Sequence, residues 1–486
     1  MLSASREHRR GYTRLTGQDA AFLSFEGPGR PMHIGALAFV SNNGWLDETG
    51  DLDTNRLRDT IADRAGAVPG LDRVLHSAPL TGWPLWISDP AIDWEAQVQI
   101  LPAASHEAEV REIAEKAMAT PLDRSRPLWR VVIMPGAPGS SRFALAFLAH
   151  HSLVDGIAGI DLLAQLLDRH DTLPARAPHH RPPSRNQLLA DELIRVVEVP
   201  RNIANAALGA VTNQRRRRRL VRRATALVRT AVRLLTPGPT TLLRGENEGT
   251  RSVSWFSVED RPLRLARQRL NGTPNDLVMA AVASAINSMP GKRSPLHFRK
   301  LRAAIPVSFR TRAERYNLGN RIGLQIVPLD PKNGNLGRAV AEIHKQTLIQ
   351  KHRGDAEGYE VLTQLTAWLG RWSQRLLHWL AGKVHSYGIL ITNVPGPSRS
   401  YTLGGASIEE IYPLVPLFGS QSLSVAVVRY GGYLRVGVTS SWGDAALVDT
   451  FTQNLQQAFA QIALAPKDAM EPAGAPVPMR QGEARA

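Results

Sequence analysis

Two adjacent histidines followed by an aspartate and a glycine are the residues of this chain best suited to chemistry. They are His150, His151, Asp155 and Gly156 in the stretch HHSLVDG. As zinc ligands they lack the HExxH order and any cysteine partner. As structural residues they would hydrogen-bond within a turn and cap a helix. As catalytic residues, one imidazole would deprotonate an alcohol while nearby polar groups fix its tautomer and orientation.

The flanking sequence predicts the elements that position these residues. Phe143 to Ala149 is a continuous apolar run of the length of one buried strand. From Gly156 onward the apolar residues recur at helical spacing, at Ile157, Ile160, Leu163, Leu166 and Leu167. The polar cluster therefore lies in a strand-to-helix turn, where functional sites are often built. Ser152 lies in no G-x-S-x-G elbow, so a serine acyl-enzyme is disfavoured.

Composition limits the class of protein. A chain of 486 residues with 43% hydrophobic content can bury the cores of two or more domains. Cysteine is absent, which excludes disulfides, a thiolate nucleophile and cysteine metal sites, and which fits a reducing cytoplasm. We expect neither a secretory signal nor a transmembrane helix, because the first residues are polar and no apolar run is long enough.

The charge is strongly basic, and one segment concentrates it. The formal net charge of +16 implies an anionic partner, such as anionic lipid, nucleic acid or a phosphate-bearing molecule. Between Arg215 and Arg233 there are nine arginines and no acid. A helical projection places Leu220, Ala224, Leu227, Val228, Ala231 and Leu235 on one stripe, and Arg218, Arg222, Arg229 and Arg233 on the other side.

This pattern predicts a basic amphipathic helix that lies on an anionic membrane. The alternative is a solvated crossover helix with an arginine face. No specific nucleic-acid partner is predicted, because no recognised module accompanies the arginines and no aromatic residues interleave with them to stack on bases.

The rest of the chain alternates between predicted strands and helices. The predicted helices are a short one after Thr16, then 57–65, 106–120, 336–351, 361–384 and 446–462; the predicted strands include 33–40, 129–134, 302–308, 320–328, 387–392, 422–430 and 433–440. Helix 361–384 carries three tryptophans. We expect it to pack on the domain core, the alternatives being the border of an acyl-chain groove or a membrane interface.

Several stretches together resemble one enzyme family. HHSLVDG matches the HHxxxDG signature of the superfamily that includes chloramphenicol acetyltransferase and peptide-synthetase condensation domains. The other stretches are LTGQDAAFL (15–23), MHIGAL (32–37), RPLWR (126–130), NDLVMAAV (275–282), NLGNRIGLQIVPL (317–329) and NVPGP (393–397). In this order, from about Leu15 to about Ala463, they resemble the bacterial wax ester synthase/diacylglycerol O-acyltransferase family of mycobacterial type.

The resemblance implies an α/β (α+β) fold of two chloramphenicol-acetyltransferase-like domains with the active site at their interface. We assign a basic N-terminal extension (1–14), an N-terminal acyltransferase domain carrying HHxxxDG (15–172) and a C-terminal acyltransferase domain (250–464). Between the domains we expect a Pro-rich linker and the basic crossover helix (173–249). A disordered tail follows (465–486).

The resemblance also implies roles for individual residues. His151 is the general base, and His150, Asp155 and Gly156 shape the turn, with Asp155 paired to an arginine that the sequence does not identify. Two further sets carry over, with a structural alternative for each. Asn275 and Asp276 either support the site or only begin a helix, and Pro127, Leu128 and Trp129 either line the substrate site or pack in the core. No metal site is predicted.

The implied function is acyl-CoA-dependent O-acyl transfer of a long-chain acyl group to diacylglycerol, and to long-chain alcohols to give wax esters. Acyl-CoA would be a co-substrate, with no further cofactor. We expect a cytoplasmic protein bound peripherally to the inner face of the membrane or to lipid droplets. The alternatives are a condensation-like acyltransferase that uses carrier-protein donors, and a catalytically weak lipid-binding protein at the membrane surface.

Overall fold

The structure of the chain is a computed structural model. It describes residues 11–89, 91–167, 182–236, 249–289, 301–311, 318–331, 335–384, 386–397, 399–418 and 421–465. Most of the expected N-terminal extension, the linker before Pro182 and the expected disordered tail after Ala465 lie outside these residues.

Helices of very different length connect and cover the sheets. They are α1 (Gly17–Phe25), α2 (Thr54–Ala67), α3 (Trp94–Gln97), α4 (Glu107–Ala119), α5 (Gly156–Leu166), α6 (Arg185–Thr212), α7 (Gln214–Leu235), α8 (Asp260–Arg269), α9 (Pro274–Asn287), α10 (Leu336–Arg353), α11 (Asp355–Leu369), α12 (Arg371–Val384) and α13 (Ala445–Leu464). Among the described helices, none has the length and apolar composition needed to cross a membrane.

The strands build two large sheets and one small one. They are β1 (Tyr12–Arg14), β2 (His33–Ser41), β3 (Arg73–Ser77), β4 (Pro84–Ser88), β5 (Val98–Ile100), β6 (Trp129–Met134), β7 (Arg142–His150), β8 (Ser252–Glu259), β9 (Leu301–Ser308), β10 (Ile322–Leu329), β11 (Ile389–Val394), β12 (Thr402–Leu403), β13 (Ala406–Leu414), β14 (Leu423–Tyr430) and β15 (Tyr433–Ser440). The first large sheet has the order β12-β13-β2-β7-β6-β5, and the second has the order β10-β9-β11-β14-β15-β8. The mixed α/β architecture with two sheet-containing domains confirms the predicted fold class.

The first sheet is completed by a strand from the other end of the chain. Strand β13 pairs antiparallel with β2, with Tyr412 opposite Leu37 and Leu414 opposite Gly35. Nothing in the local sequence predicts this partner, because strand pairing is a long-range choice. Residues 402–414 lie within the range assigned above to the C-terminal domain, yet they extend the N-terminal sheet.

The strand that delivers the histidines is central in the first sheet. Strand β7 pairs with β2 on one side and with β6 on the other, so Trp129–Met134 pairs with β7 as predicted. Its side chains are buried almost throughout, which explains the continuous apolar run in the sequence. A strand held on both edges and both faces gives the following turn a rigid support.

One predicted helix differs from the structure. The single helix predicted over 361–384 is wrong: α11 ends at Leu369 and α12 begins at Arg371, and Gly370 between them has a φ of 90° that favours glycine. Within the range 173–249, which we assigned to the Pro-rich linker and the crossover helix, Ser184 and Gln187 form a capping box that starts α6 at Arg185.

The basic helix α7 packs against the body of the protein through a narrow strip. Ala226 and Thr230 are buried against α11, where the Thr230 hydroxyl donates to the carbonyl of Asp355. Arg233 forms an ion pair with Asp355 at 2.6 Å, and Arg222 contacts Glu357 at 3.0 Å. The apolar stripe predicted from the sequence is not buried here. Its large residues Leu220, Val228 and Leu235 are exposed.

Candidate active site

Two backbone hydrogen bonds fix the turn that carries the histidines. The amide of His150 donates to the carbonyl of Leu128 at 2.8 Å, and that of His151 donates to the carbonyl of Met32 at 2.8 Å. These acceptors precede β6 and β2, the two neighbours of β7. Successive side chains of an extended segment point to opposite sides, so the two imidazoles enter different surroundings.

The imidazole of His151 lies between aromatic rings in a nearly closed site, with only 8% of the residue exposed. Phe22 of α1 stacks on it with ring centroids 4.0 Å apart and planes inclined by 4°. Phe418 meets the ring edge-on at 6.0 Å. These contacts fix the plane of the imidazole and exclude water from one of its faces.

A buried asparagine from the C-terminal half sets the tautomer of His151. The side-chain nitrogen of Asn320 donates to Asp19 Oδ1 at 2.8 Å and to the His151 carbonyl at 2.5 Å. Both partners are acceptors, so the amide is oriented with Oδ1 toward His151 Nδ1, at 3.1 Å. The neutral imidazole therefore carries its proton on Nδ1, which leaves a lone pair on Nε2 for proton abstraction.

Asp19 supports Asn320 from behind. One oxygen of its carboxylate accepts from the backbone and side chain of Asn320, and the other accepts from the backbone and hydroxyl of Thr16. Burial raises the pKa of Asp19, and these hydrogen bonds oppose the increase. The aspartate thus caps α1 and holds the asparagine at the same time.

Burial also determines the charge state of His151. Removal from water disfavours the imidazolium and lowers the pKa of His151 to about 4, although the bond to its own carbonyl and the charge of Asp155 act in the opposite direction. The imidazole is therefore neutral at physiological pH. A neutral imidazole with a free Nε2 is the form required of a general base.

His150 holds the opposite tautomer. The backbone amide of Ser152 donates to His150 Nδ1 at 3.0 Å, so this nitrogen is an acceptor and the proton of the neutral ring lies on Nε2. The hydroxyl of Ser152 also contacts Nδ1, at 2.7 Å, and Nε2 lies 3.6 Å from a carboxylate oxygen of Glu26. His150 is thereby tied into the turn.

The arginine partner of Asp155 is Arg310. Its Nε donates to Asp155 Oδ2 at 2.7 Å, and the pair is almost completely buried. The other carboxylate oxygen accepts from the amide of Ala158 and so caps α5. Arg310 also binds the carbonyl of Gly319. Through Arg310, Asp155 therefore holds the segment around Asn320 against the turn. The candidate site thus lies at the interface of the two halves, as the resemblance implies.

Gly156 begins α5 beside strand β11. A Cβ atom on Gly156 would lie 3.1 Å from Cγ2 of Val394, which is closer than an ordinary van der Waals contact. Gly156 and Val394 also line an apolar cavity of about 40 Å³ between the two sheets. Glycine at this position allows the close approach of these elements.

Asn275 and Asp276 lie at the start of α9, next to the same strand. Asn393 of β11 donates to the side-chain oxygen of Asn275 at 2.9 Å. Asp276 is fully buried, forms the capping box with Thr273, and contacts His344 Nδ1 at 2.8 Å. Both residues line a cavity of about 390 Å³. The helix start is therefore present as predicted, whereas a role for either residue in catalysis stays a prediction.

Pro127, Leu128 and Trp129 are all buried. The indole of Trp129 is 1% exposed and donates to the carbonyl of Leu71 at 2.7 Å. The carbonyl of Leu128 accepts from His150, and that of Pro127 accepts from Gln97. These contacts agree with the packing alternative, and substrate contact by this segment stays a prediction.

Four residues of the site were not singled out from the sequence: Asp19, Phe22, Arg310 and Asn320. Three of them lie in stretches that carry the family resemblance, LTGQDAAFL and NLGNRIGLQIVPL. Motif membership was the available signal, but it does not say which residue contacts which. Arg310 lies in no quoted motif, and its role follows from the structure alone.

Comparison with known proteins decides the family. The family model described as "Wax ester synthase/diacylglycerol acyltransferase catalytic domain" matches residues 15–278. A second family model, described as "WS/DGAT C-terminal domain", matches residues 318–463. The chain belongs to the wax ester synthase/diacylglycerol acyltransferase family. It is accordingly an acyltransferase, and the resemblance stated from the motifs is confirmed.

Related proteins agree with this assignment. A Mycobacterium tuberculosis protein named "Probable diacyglycerol O-acyltransferase" is 26% identical over 469 residues, which cover 92% of this chain and 95% of the relative. The wax ester synthase/diacylglycerol acyltransferase of Marinobacter aquaeolei has the same fold, with a TM-score of 0.62, 22% identity and coverage of 93% and 99% of the two chains. A starter condensation domain of rhizomide synthetase, solved with C8-CoA, superposes with a TM-score of 0.58 at 13% identity, covering 97% of this chain and 100% of that domain.

Proposed function

We propose that this acyltransferase transfers a long-chain acyl group from acyl-CoA to diacylglycerol, forming triacylglycerol, and to long-chain alcohols, forming wax esters. The observation that carries the proposal is the fixed tautomer of His151, which presents an unprotonated Nε2 at the domain interface. The names of the family and of the mycobacterial relative support the acceptor. The complex of a related fold with C8-CoA supports the donor.

The proposed reaction is a direct transfer with His151 as the catalytic residue. Nε2 removes the hydroxyl proton of the acceptor while the oxygen attacks the thioester carbonyl. The tetrahedral intermediate collapses, the carbon–sulfur bond breaks, and the imidazolium returns the proton to the CoA thiolate. No covalent acyl-enzyme and no cofactor beyond acyl-CoA take part. Closure of the site around His151 favours transfer to the acceptor over hydrolysis by water.

The test compares the two histidines in a thiol-release assay with palmitoyl-CoA and either dioleoylglycerol or hexadecanol. We expect His151→Ala to remain folded and to lose turnover by about a hundred- to ten-thousand-fold, the usual contribution of a general base. His150→Ala is the matched control and should lose less activity and more thermal stability, because it removes bonds within the turn. Near-normal turnover by folded His151→Ala would overturn the mechanism.

Two alternatives remain outcomes of this assay. The resemblance to condensation domains leaves a carrier-protein donor as the second candidate, and turnover with an acylated carrier protein but not with acyl-CoA would establish it. Lipid binding without thiol release under any condition would indicate the lipid-binding alternative.

We also propose that the protein associates peripherally with an anionic membrane or lipid-droplet surface on the cytoplasmic side. The exposed apolar residues of α7, together with its nine arginines, support this location. Replacing Arg216, Arg219 and Arg223 by Gln should weaken binding to phosphatidylglycerol vesicles and reduce its salt sensitivity. These arginines are exposed, and no contact with the body of the protein is described for them. Unchanged binding by the folded variant would contradict the proposal.

A further inference from the structure

Helix α12 presents three large apolar side chains to the solvent. Trp372, Leu376 and Trp379 are spaced at i, i+4 and i+7, which places them on one face. Their exposed fractions are 61%, 47% and 56%. The sequence led us to expect this helix to pack on the domain core, and for these three residues that expectation is wrong.

Two polar residues of the same helix face the protein. Ser373 and Gln374 are buried. The hydroxyl of Ser373 donates to the carbonyl of Thr366 at 3.0 Å, and the side-chain amide of Gln374 donates to the carbonyl of Gly17 at 3.1 Å. Arg371 adds a bond to the carbonyl of Gly82 at 3.0 Å. These bonds hold the helix with Trp372, Leu376 and Trp379 toward the solvent, whereas an ordinary surface helix buries its large apolar residues.

The surroundings of this face are basic. Arg371 and Arg375 on α12 are exposed, and the helix contains no acidic residue. It contacts α7, which has nine arginines and no acid. On the neighbouring α11, Asp355 and Glu357 are engaged by arginines of α7, and the third acid, Glu360, accepts from Gln364. Tryptophan and leucine beside uncompensated arginines are the composition of a helix that lies in the interface of an anionic lipid layer.

We propose that Trp372, Leu376 and Trp379 insert into an anionic lipid surface and are the element that docks the enzyme there. This goes beyond the role proposed for α7. The arginines of α7 attract the anionic surface, whereas α12 supplies the side chains that insert into it. It rests on the proposed function in one respect, namely that the lipid acceptor comes from the same surface.

The connection from this surface to the candidate site is short. Gln374 binds the carbonyl of Gly17, the first residue of α1, and Phe22 on the same helix stacks on His151. Five residues of helix span about 7.5 Å. Helix α1 therefore contacts both the docking helix and the base, which places the lipid surface that we propose beside α12 close to His151.

The experiment measures binding to phosphatidylcholine vesicles with and without phosphatidylglycerol. We expect the double variant Trp372→Ser/Trp379→Ser to lose about tenfold or more in partition onto the anionic vesicles, because the interfacial aromatic residues supply the inserted area. The control is Leu46→Ser/Leu265→Ser, which changes two exposed leucines elsewhere and should bind like the wild type. Melting temperatures confirm that both variants fold.

A second measurement uses the unmodified protein. Brominated phosphatidylcholine in the anionic vesicles should quench part of the tryptophan fluorescence, because an inserted indole contacts the acyl chains. Absence of quenching together with unchanged binding of the double variant overturns the proposal. So does a wild-type dimer that the double variant converts to a monomer, since a second copy would then cover the face.

Activity separates this proposal from the proposed function. The double variant should turn over detergent-dispersed hexadecanol at the wild-type rate and should lose turnover only with acceptor held in vesicles. Equal loss with both forms of acceptor contradicts docking as the role of this face. If the wild type releases no thiol, the acyltransfer reaction is refuted. The vesicle-binding measurements then still decide whether α12 docks the protein on lipid.

Discussion

Substitution of Asn320 tests the tautomer that the structure assigns to the base. Leucine has the same number and branching of side-chain heavy atoms as asparagine but accepts no hydrogen bond, so Asn320→Leu removes the acceptor that lies 3.1 Å from Nδ1 of His151. An unsatisfied buried donor costs about 1–3 kcal/mol, and at about 1.4 kcal/mol for each factor of ten this predicts a kcat roughly five- to 150-fold lower. The loss arises because the imidazole no longer favours the tautomer with a free Nε2.

Stability responds through a different contact. The same substitution removes one of the four donors to Asp19, the side-chain nitrogen, while the backbone amide of residue 320 remains. A hydrogen bond to a charged group contributes about 1.5–3 kcal/mol, so the free energy of unfolding should fall by an amount of that order. The matched control is Thr16→Val, which removes a donor from the other oxygen of Asp19 without touching Asn320 or His151. It should lower stability without changing kcat comparably.

A double-mutant cycle distinguishes positioning from general damage. Thiol release is measured for wild type, Asn320→Leu, His151→Ala and the double variant. If Asn320 acts through His151, the leucine substitution should have little further effect once the imidazole is gone. An equal fractional loss in both backgrounds, or a folded Asn320→Leu enzyme with kcat unchanged, would refute the assigned role.

Three other variants or conditions probe the rest of the site. Because burial lowers the pKa of His151 to about 4, the base stays neutral down to that pH, and kcat/KM should remain level from about pH 8 to pH 5 and fall only below it; an acid limb near the ordinary histidine value would contradict this. Arg310→Gln should remove the positive charge beside the buried carboxylate of Asp155 and lower the melting temperature together with kcat, whereas an unchanged melting temperature would show that the pair does not hold the turn. Asn275→Ala should lower kcat much more than stability if the start of α9 stabilises the transition state, and parallel loss of both would indicate a structural residue.

Local patterns in the sequence predict the elements that carry the site. The apolar run before His150 predicts a buried strand, and the capping residues around Thr16 and Thr273 predict helix starts; the structure contains all three. These features depend on residues a few positions apart, so periodicity and capping preferences are sufficient. The family motifs then supply the expected two-domain fold, which the sheet topology confirms.

The partners of the base depend on contacts that periodicity does not encode. Asn320 lies 169 residues from His151 and 301 residues from Asp19, yet the three form one hydrogen-bonded unit. The orientation of α12 is equally inaccessible, because the spacing of its apolar residues defines a face but not which side that face contacts. At Gly370 a single glycine decides between one helix and two, and mid-helix glycine disfavours a helix too weakly to predict its break.

The two halves of the chain are joined at the places where the site needs them joined. Strand β13 extends the N-terminal sheet from the C-terminal half, and Gly319 forms a bridge with Val154 inside the histidine turn. The amide of Gly319 donates to the carbonyl of Leu153 at 2.7 Å, which fixes the neighbouring Asn320 beside His151. The tautomer of His151 depends on Asn320 from the opposite half of the chain. The base therefore has the correct tautomer only when both halves are folded and docked. The proton-abstracting form of His151 is therefore a property of the assembled interface and not of the HHSLVDG segment alone.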